Sequence, residues 1–165
     1  MTQRYLVLCT GNRCRSQMAH GWLQHLAPTP GSPGSPGSPE SSSENTEGTS
    51  GGSGGVEVFS AGTRPQGVHP LSIRVMAEAG VDIAHHTSDH VDQYASQHFD
   101  AVITVCDHAK EACPVFSNAN RTIHHAFPDP DDKTGTKTDE ELLHVFRGVR
   151  DEIRAWCAAF LASQI

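Results

Sequence analysis

Apolar positions fall into two rhythms along the chain. Dense runs of a few residues occur at 5–8, 56–60 and 99–105. The run at 56–60 alternates and is rich in β-branched side chains, and the run at 99–105 is almost continuously apolar. Both patterns predict strands, and a continuous run suits a central strand covered on both faces. Between the runs the spacing becomes helical. Met18, Trp22 and Leu26 recur at steps of four in residues 16–26, and Leu71, Val75, Met76 and Ala79 share one side of residues 70–79, which Gly80 ends. Residues 81–83 read as a short buried linker, 85–89 as polar, and 89–96 as a weak helix. Residues 121–125 make a fourth strand carrying two histidines.

The last helix has the clearest pattern. Thr138 through Glu141 has the form of a capping box. Leu142, Phe146, Val149, Ile153, Trp156 and Phe160 then alternate steps of four and three, with Cys157 beside them. The stripe runs for fewer than three heptads, so it reads as a face packed on a sheet rather than a coiled-coil seam. Strand–helix alternation predicts one α/β domain, 1–165, with a four-stranded, mostly parallel sheet flanked by helices. Ligands bind such sheets outside the strand carboxyl ends, where Cys9, Cys106 and the residues after His125 would meet.

Residues 28–55 carry no aliphatic or aromatic side chain and are predicted to be a disordered insert. They explain why hydrophobic residues make up only 36% of the 165. The net charge of −7 argues against general nucleic-acid binding but leaves room for a local anion site. No apolar run approaches a membrane span, and no signal peptide is visible, so a cytoplasmic location is expected. Five cysteines, Cys9, Cys14, Cys106, Cys113 and Cys157, read as reactive or buried thiols rather than a structural disulfide framework.

The chemistry centres on Cys9-Thr10-Gly11-Asn12-Arg13-Cys14-Arg15-Ser16. A strand ends on Cys9, a tight loop follows, and a helix begins. Such a loop turns backbone N–H groups inward beside a positive helix N-terminus, a cradle for a tetrahedral oxyanion. Gly11 is expected to supply the freedom for the turn. Arg15 can grip two anion oxygens with its planar fork. The same field favours a Cys9 thiolate beneath the anion, which the Ser16 hydroxyl could steady. Later, Cys106 and Cys113 stand seven apart, about 10 Å along an α-helix, too far for a disulfide unless the segment unwinds. A zinc set of Cys106, His108 and Cys113 with another histidine matches no common spacing.

The loop resembles that of low-molecular-weight tyrosine phosphatases. It is more similar still to thioredoxin-coupled arsenate reductases, which share that fold. Thr104-Val105-Cys106-Asp107 and Cys113-Pro114-Val115 carry the second resemblance, joined by Ser60-Ala61-Gly62-Thr63, His86-Thr87-Ser88-Asp89 and Phe127-Pro128-Asp129-Pro130. The resemblance implies a low-molecular-weight phosphatase-like fold and reduction of arsenate to arsenite. It implies that Thr10, Gly11, Asn12, Arg13, Cys14, Arg15 and Ser16 bind the oxyanion, that Cys9 attacks arsenic, and that Asp129 is the general acid. Cys106 and Cys113 would then relay the oxidation to a surface disulfide reduced by thioredoxin. Cys14 would have a structural or steric role. No organic cofactor is implied. A potassium ion near Asn12, Ser60, Thr87 and Asp89 is implied, but His20 stands where many relatives carry a Glu that helps hold it. A monomer is expected. Two rivals remain: a phosphatase using Cys9, Arg15 and Asp129, to which Cys106 and Cys113 are surplus, and a non-enzymatic thiol redox or arsenic sensor, to which the anion loop is surplus.

Overall fold

The chain forms β1 (Gln3–Cys9), α1 (Arg15–Leu26), β2 (Val56–Gly62), α2 (Pro70–Glu78), a 3-10 turn (Val91–Tyr94), β3 (Phe99–Thr104), β4 (Ala119–His124) and α3 (Asp139–Ala162). This computed structural model describes residues 2–27, 55–106, 116–132 and 134–164. The insert predicted at 28–55 lies outside them except for Gly55, and so does Cys113.

The strands pair in the order β2-β1-β3-β4, and each pairing is parallel. The expected mostly parallel sheet is therefore wholly parallel among the described strands. β1 and β3 hold the centre, as their continuous apolar runs require. Alternation along β1 sends Tyr5, Val7 and Cys9 to one face, where Met18 and Trp22 of α1, Val75 and Met76 of α2, and Phe146 and Ile153 of α3 cover them. Leu6 and Leu8 point to the other face, with Ala61, Phe99, Val102 and Phe116. β4 is an edge strand and largely exposed, which accounts for its polar sequence.

Two elements depart from expectation. The weak helix at 89–96 is only the four-residue 3-10 turn. On α3 the buried positions are Leu143, Phe146, Val149, Ile153, Cys157 and Phe160, so Leu143 and Cys157 take the places expected for Leu142 and Trp156. The Cys157 thiol lies 4.0 Å from the Ala19 carbonyl of α1, where a small side chain lets the helices approach. Trp156 lies to one side, its ring stacked on His125 and Phe160 with centroids 5.5 and 5.3 Å away. At the start of α3 the Thr138 hydroxyl accepts the Glu141 N–H at 3.2 Å, the N-cap half of the expected capping box.

The order reversal between β1 and β3 opens a crevice at their carboxyl ends. The Val105 N–H bonds the Leu8 carbonyl at 3.0 Å, which keeps the two chain ends together past the last ladder pair. After β4 the His125 and Phe127 N–H groups bond Thr104 and Val105 carbonyls, and this steers the following segment over the same crevice.

Candidate active site

The loop leaving β1 is held by its carbonyls. Those of Thr10, Gly11 and Arg13 accept the N–H groups of Arg64, Gln66 and His69 at 2.9, 3.0 and 3.1 Å. The Ser88 hydroxyl donates to the carbonyls of Gly11 and Asn12 at 3.1 and 2.8 Å. A trans peptide points its N–H opposite to its C=O. Tying the carbonyls outward therefore turns the N–H groups of residues 11–14 inward. Asn12 fits this: its N–H reaches the Cys9 Sγ at 3.2 Å.

The turn itself rests on a different residue from the one expected. Asn12, not Gly11, adopts the left-handed conformation, with φ 44°. A short amide tolerates that region better than most side chains. Gly11 is instead a close approach, since a Cβ there would lie 3.2 Å from the Gln66 Oε1. Gly62, at the end of β2, is tighter still. A Cβ there would lie 2.4 Å from the Thr10 carbonyl oxygen and 2.9 Å from both the Asn12 nitrogen and the Cys9 oxygen.

Cys9 and Arg15 line a small cavity of about 50 Å³ with Thr10, Gly11, Arg13, Cys14, Gln66, Asp129 and Asp131. Asn12 and Ser16 are fully buried and act on Cys9 from behind it. The Ser16 Oγ lies 2.9 Å from the Cys9 Sγ and donates to the Asn12 Oδ1 at 2.8 Å. The Arg15 guanidinium, 4% exposed as a residue, stands 3.6 Å from the Asp129 Oδ2. The Asp129 Oδ1 accepts the Asp131 N–H at 3.1 Å, which fixes the carboxylate at the rim. Arg13 bonds Asp131 at 3.2 Å and the Gln66 carbonyl at 3.1 Å, closing one side. His69 approaches the same Asp131 at 3.4 Å, and burial, with the Arg13 cation, holds its imidazole below the usual range. Cys14 lines the cavity, but burial pushes its thiol well above the ordinary cysteine range, which makes it a poor nucleophile at neutral pH. Burial likewise pushes the Cys157 thiol up to about 12.

Cys106 sits at the carboxyl end of β3, fully buried, in the same cluster of side chains as Cys9. It is disulfide-bonded, whereas Cys9, Cys14 and Cys157 are free thiols. Of the zinc set weighed above, His108 and Cys113 lie outside the described residues. Spacing did not pick out Gln17, Gln66, Ser88 and Asp131. The one available signal was Gln17, a polar residue beside the apolar positions of α1.

Asn12, Ser60, Thr87 and Asp89, expected around a potassium ion, lie near one another but do not form a cation cage. The Gln17 Nε2 takes up three oxygens from two of them, 3.1 Å from the Asn12 carbonyl, 3.0 Å from its Oδ1 and 2.9 Å from the Thr87 carbonyl. An amide N–H₂ satisfies those acceptors as a cation would. The His20 ring stands against the Ser60 hydroxyl at 2.9 Å, and burial pushes its pKa down to about 3, so the ring is neutral at pH 7 and supplies none of the negative charge that a carboxylate there would bring. The residues present do not fit the ion.

The profile of the low molecular weight phosphotyrosine protein phosphatase family matches residues 44–165. An arsenate reductase of Halalkalibacterium halodurans is 40% identical over 146 residues, 88% of this chain and 86% of that protein. One from Bacillus licheniformis is 36% identical over 147 residues, again 88% and 86%. A solved arsenate reductase in the reduced state superimposes with a TM-score of 0.68 at 26% identity, covering 99% of this chain and all of that one (100%).

Proposed function

The chain belongs to the low molecular weight phosphotyrosine protein phosphatase family, on its arsenate reductase branch, and from that membership and the site geometry we propose that it reduces arsenate to arsenite at Cys9. The carrying observation is the arrangement of two cysteines. Cys9 is a free thiol under the anion cavity, and Cys106, in the same buried cluster, is already in a disulfide. An oxyanion loop beside a redox-active thiol suits reduction of the bound anion.

Arsenate enters as a tetrahedral anion held by inward N–H groups and Arg15. The Cys9 thiolate attacks arsenic, an As–O bond breaks, and Asp129 gives the departing oxygen its proton. The Cys106 thiolate then attacks the Cys9 sulfur. The S–As bond breaks, its electron pair stays on arsenic, and arsenite leaves as a Cys9–Cys106 disulfide forms. Attack by Cys113 on Cys106 frees Cys9 and moves the disulfide to Cys106–Cys113, which a thioredoxin dithiol reduces. The chain is thereby a cytoplasmic enzyme of arsenic detoxification.

The cavity also favours this reading over an aryl-phosphate phosphatase. No aromatic ring is among its described lining residues, and its volume suits a bare oxyanion. The test is arsenate-dependent NADPH oxidation with thioredoxin and thioredoxin reductase. Turnover in the wild type and none in Cys9→Ser is expected. Absence of arsenate-dependent oxidation, with phosphatase turnover intact, would replace this reading with the phosphatase.

A further inference from the structure

Beneath the anion loop, five residues close a circuit. The Asn12 Nδ2 donates to the Ser60 carbonyl at 3.2 Å, and the Ser60 hydroxyl meets the His20 Nδ1 at 2.9 Å. The His20 ring stacks on His86 with centroids 4.2 Å apart and planes 26° from parallel. The His86 Nδ1 meets the Gln17 Oε1 at 3.0 Å, and the Gln17 Nε2 returns to the Asn12 Oδ1 at 3.0 Å. Three acceptors around one end of the Gln17 amide, and an imidazole nitrogen at the other, fix which end carries the hydrogens. The same contact makes the His86 Nδ1 the protonated nitrogen. Asn12 is the point of the circuit that touches the chemistry, because its left-handed backbone aims its N–H at the Cys9 Sγ.

We propose that this circuit of Gln17, His86 and His20 takes the place of a cation in bracing Asn12, so that the loop keeps its active geometry without potassium. Gln17 and His20 are positioning residues: they act on Cys9 through Asn12. A cation at this point would have to displace the Gln17 N–H₂ from three oxygens. It would find one carboxylate, Asp89, already accepting from the Thr87 hydroxyl at 2.9 Å and the Tyr94 hydroxyl at 3.0 Å. A carboxylate at position 20 would supply the missing negative charge and an oxygen ligand. His20→Glu should therefore install a potassium site that the native chain lacks. The inference rests on the anion-loop part of the proposed function and not on the thiol relay.

The experiment compares thermal unfolding of the reduced full chain in potassium chloride, sodium chloride and choline chloride at equal ionic strength. The wild type should melt at one temperature in all three, with the same kcat and KM for arsenate. His20→Glu should melt lower in choline and recover by about 5 °C in potassium. Gln17→Ala should slow alkylation of Cys9 by iodoacetamide several-fold, with no rescue by potassium. A wild-type melting temperature or kcat/KM that rises with potassium overturns the proposal, whether or not His20→Glu folds. A folded His20→Glu indifferent to potassium, or wild-type alkylation in Gln17→Ala, also overturns it. Lack of arsenate turnover in every salt would instead count against the proposed function and leave the melting comparison standing.

Discussion

The Arg15 guanidinium lies 3.6 Å from the Asp129 carboxylate, although Arg15 opens α1 and Asp129 follows β4. The pair closes the anion cavity between two distant parts of the chain, and it makes Arg15 shared property. It faces Asp129, and an oxyanion entering the cavity competes for it. Asp129→Asn removes that competitor and the proton donor together. We expect kcat for arsenate to fall about 100-fold or more, the range of a lost general acid. Inhibition by inorganic phosphate should be unchanged or tighter, because Arg15 is released to the anion. Steady-state kinetics with phosphate as competitor separates the two effects. A wild-type kcat in this variant would remove Asp129 from the acid's role.

Gly62 tests the support of the loop and not its chemistry. The backbone atoms facing it leave no room for a methyl group, and a flexible side chain is not there to yield. Gly62→Ala should cost about 1–3 kcal/mol of stability, as overpacking does. It should also slow Cys9 alkylation, because the loop backbone at Thr10 and Asn12 must shift. Urea unfolding and an alkylation rate measure both. Unchanged values would mean that the strand end relaxes away from the loop.

The sheet and the loop were legible because local pattern determines them. Apolar runs marked β1 and β3 as central, and the Cys9–Ser16 spacing placed a nucleophile, a turn and an arginine in one short segment. Long-range approach was not legible. Nothing in the period of α3 shows that α1 comes close enough at Ala19 to prefer Cys157 over Trp156 inside. Gly11 was the natural choice for the strained residue of the loop, but Asn12 takes it because its side chain is anchored by partners from β2 and α1. The role of Gln17 likewise depends on residues 86 and 87, far along the chain.

Two partly buried histidines, His20 and His86, give the fold an acid sensitivity. Burial, with neighbouring histidines, pushes His20 down to about 3 and His86 to about 4. Both lie below the unfolded value near 6.5, so on acidification the unfolded chain takes up protons first. Their contribution is complete above about pH 6.5 and declines as pH falls toward 4 and then 3. His20, the more buried, should give a slope of up to about 1.4 kcal/mol per pH unit in that window, and His86 less because solvent screens it. Urea midpoints between pH 7 and 4.5 should fall, and His20→Gln should flatten the curve. A midpoint independent of pH in the wild type would contradict the burial of neutral imidazoles.

The central claim is that three thiols deliver two electrons to arsenate and end as an exchangeable disulfide. The most direct measurement is arsenite released per molecule of Cys113→Ser, with thioredoxin as sole reductant. Cys9 and Cys106 can still complete the chemistry on arsenic, so one arsenite per enzyme is predicted. Turnover should then stop with a Cys9–Cys106 disulfide, detectable by mass mapping, in a crevice where thioredoxin reaches it poorly. Many arsenites per enzyme under these conditions would show that Cys113 is not the relay and would contradict the three-thiol account.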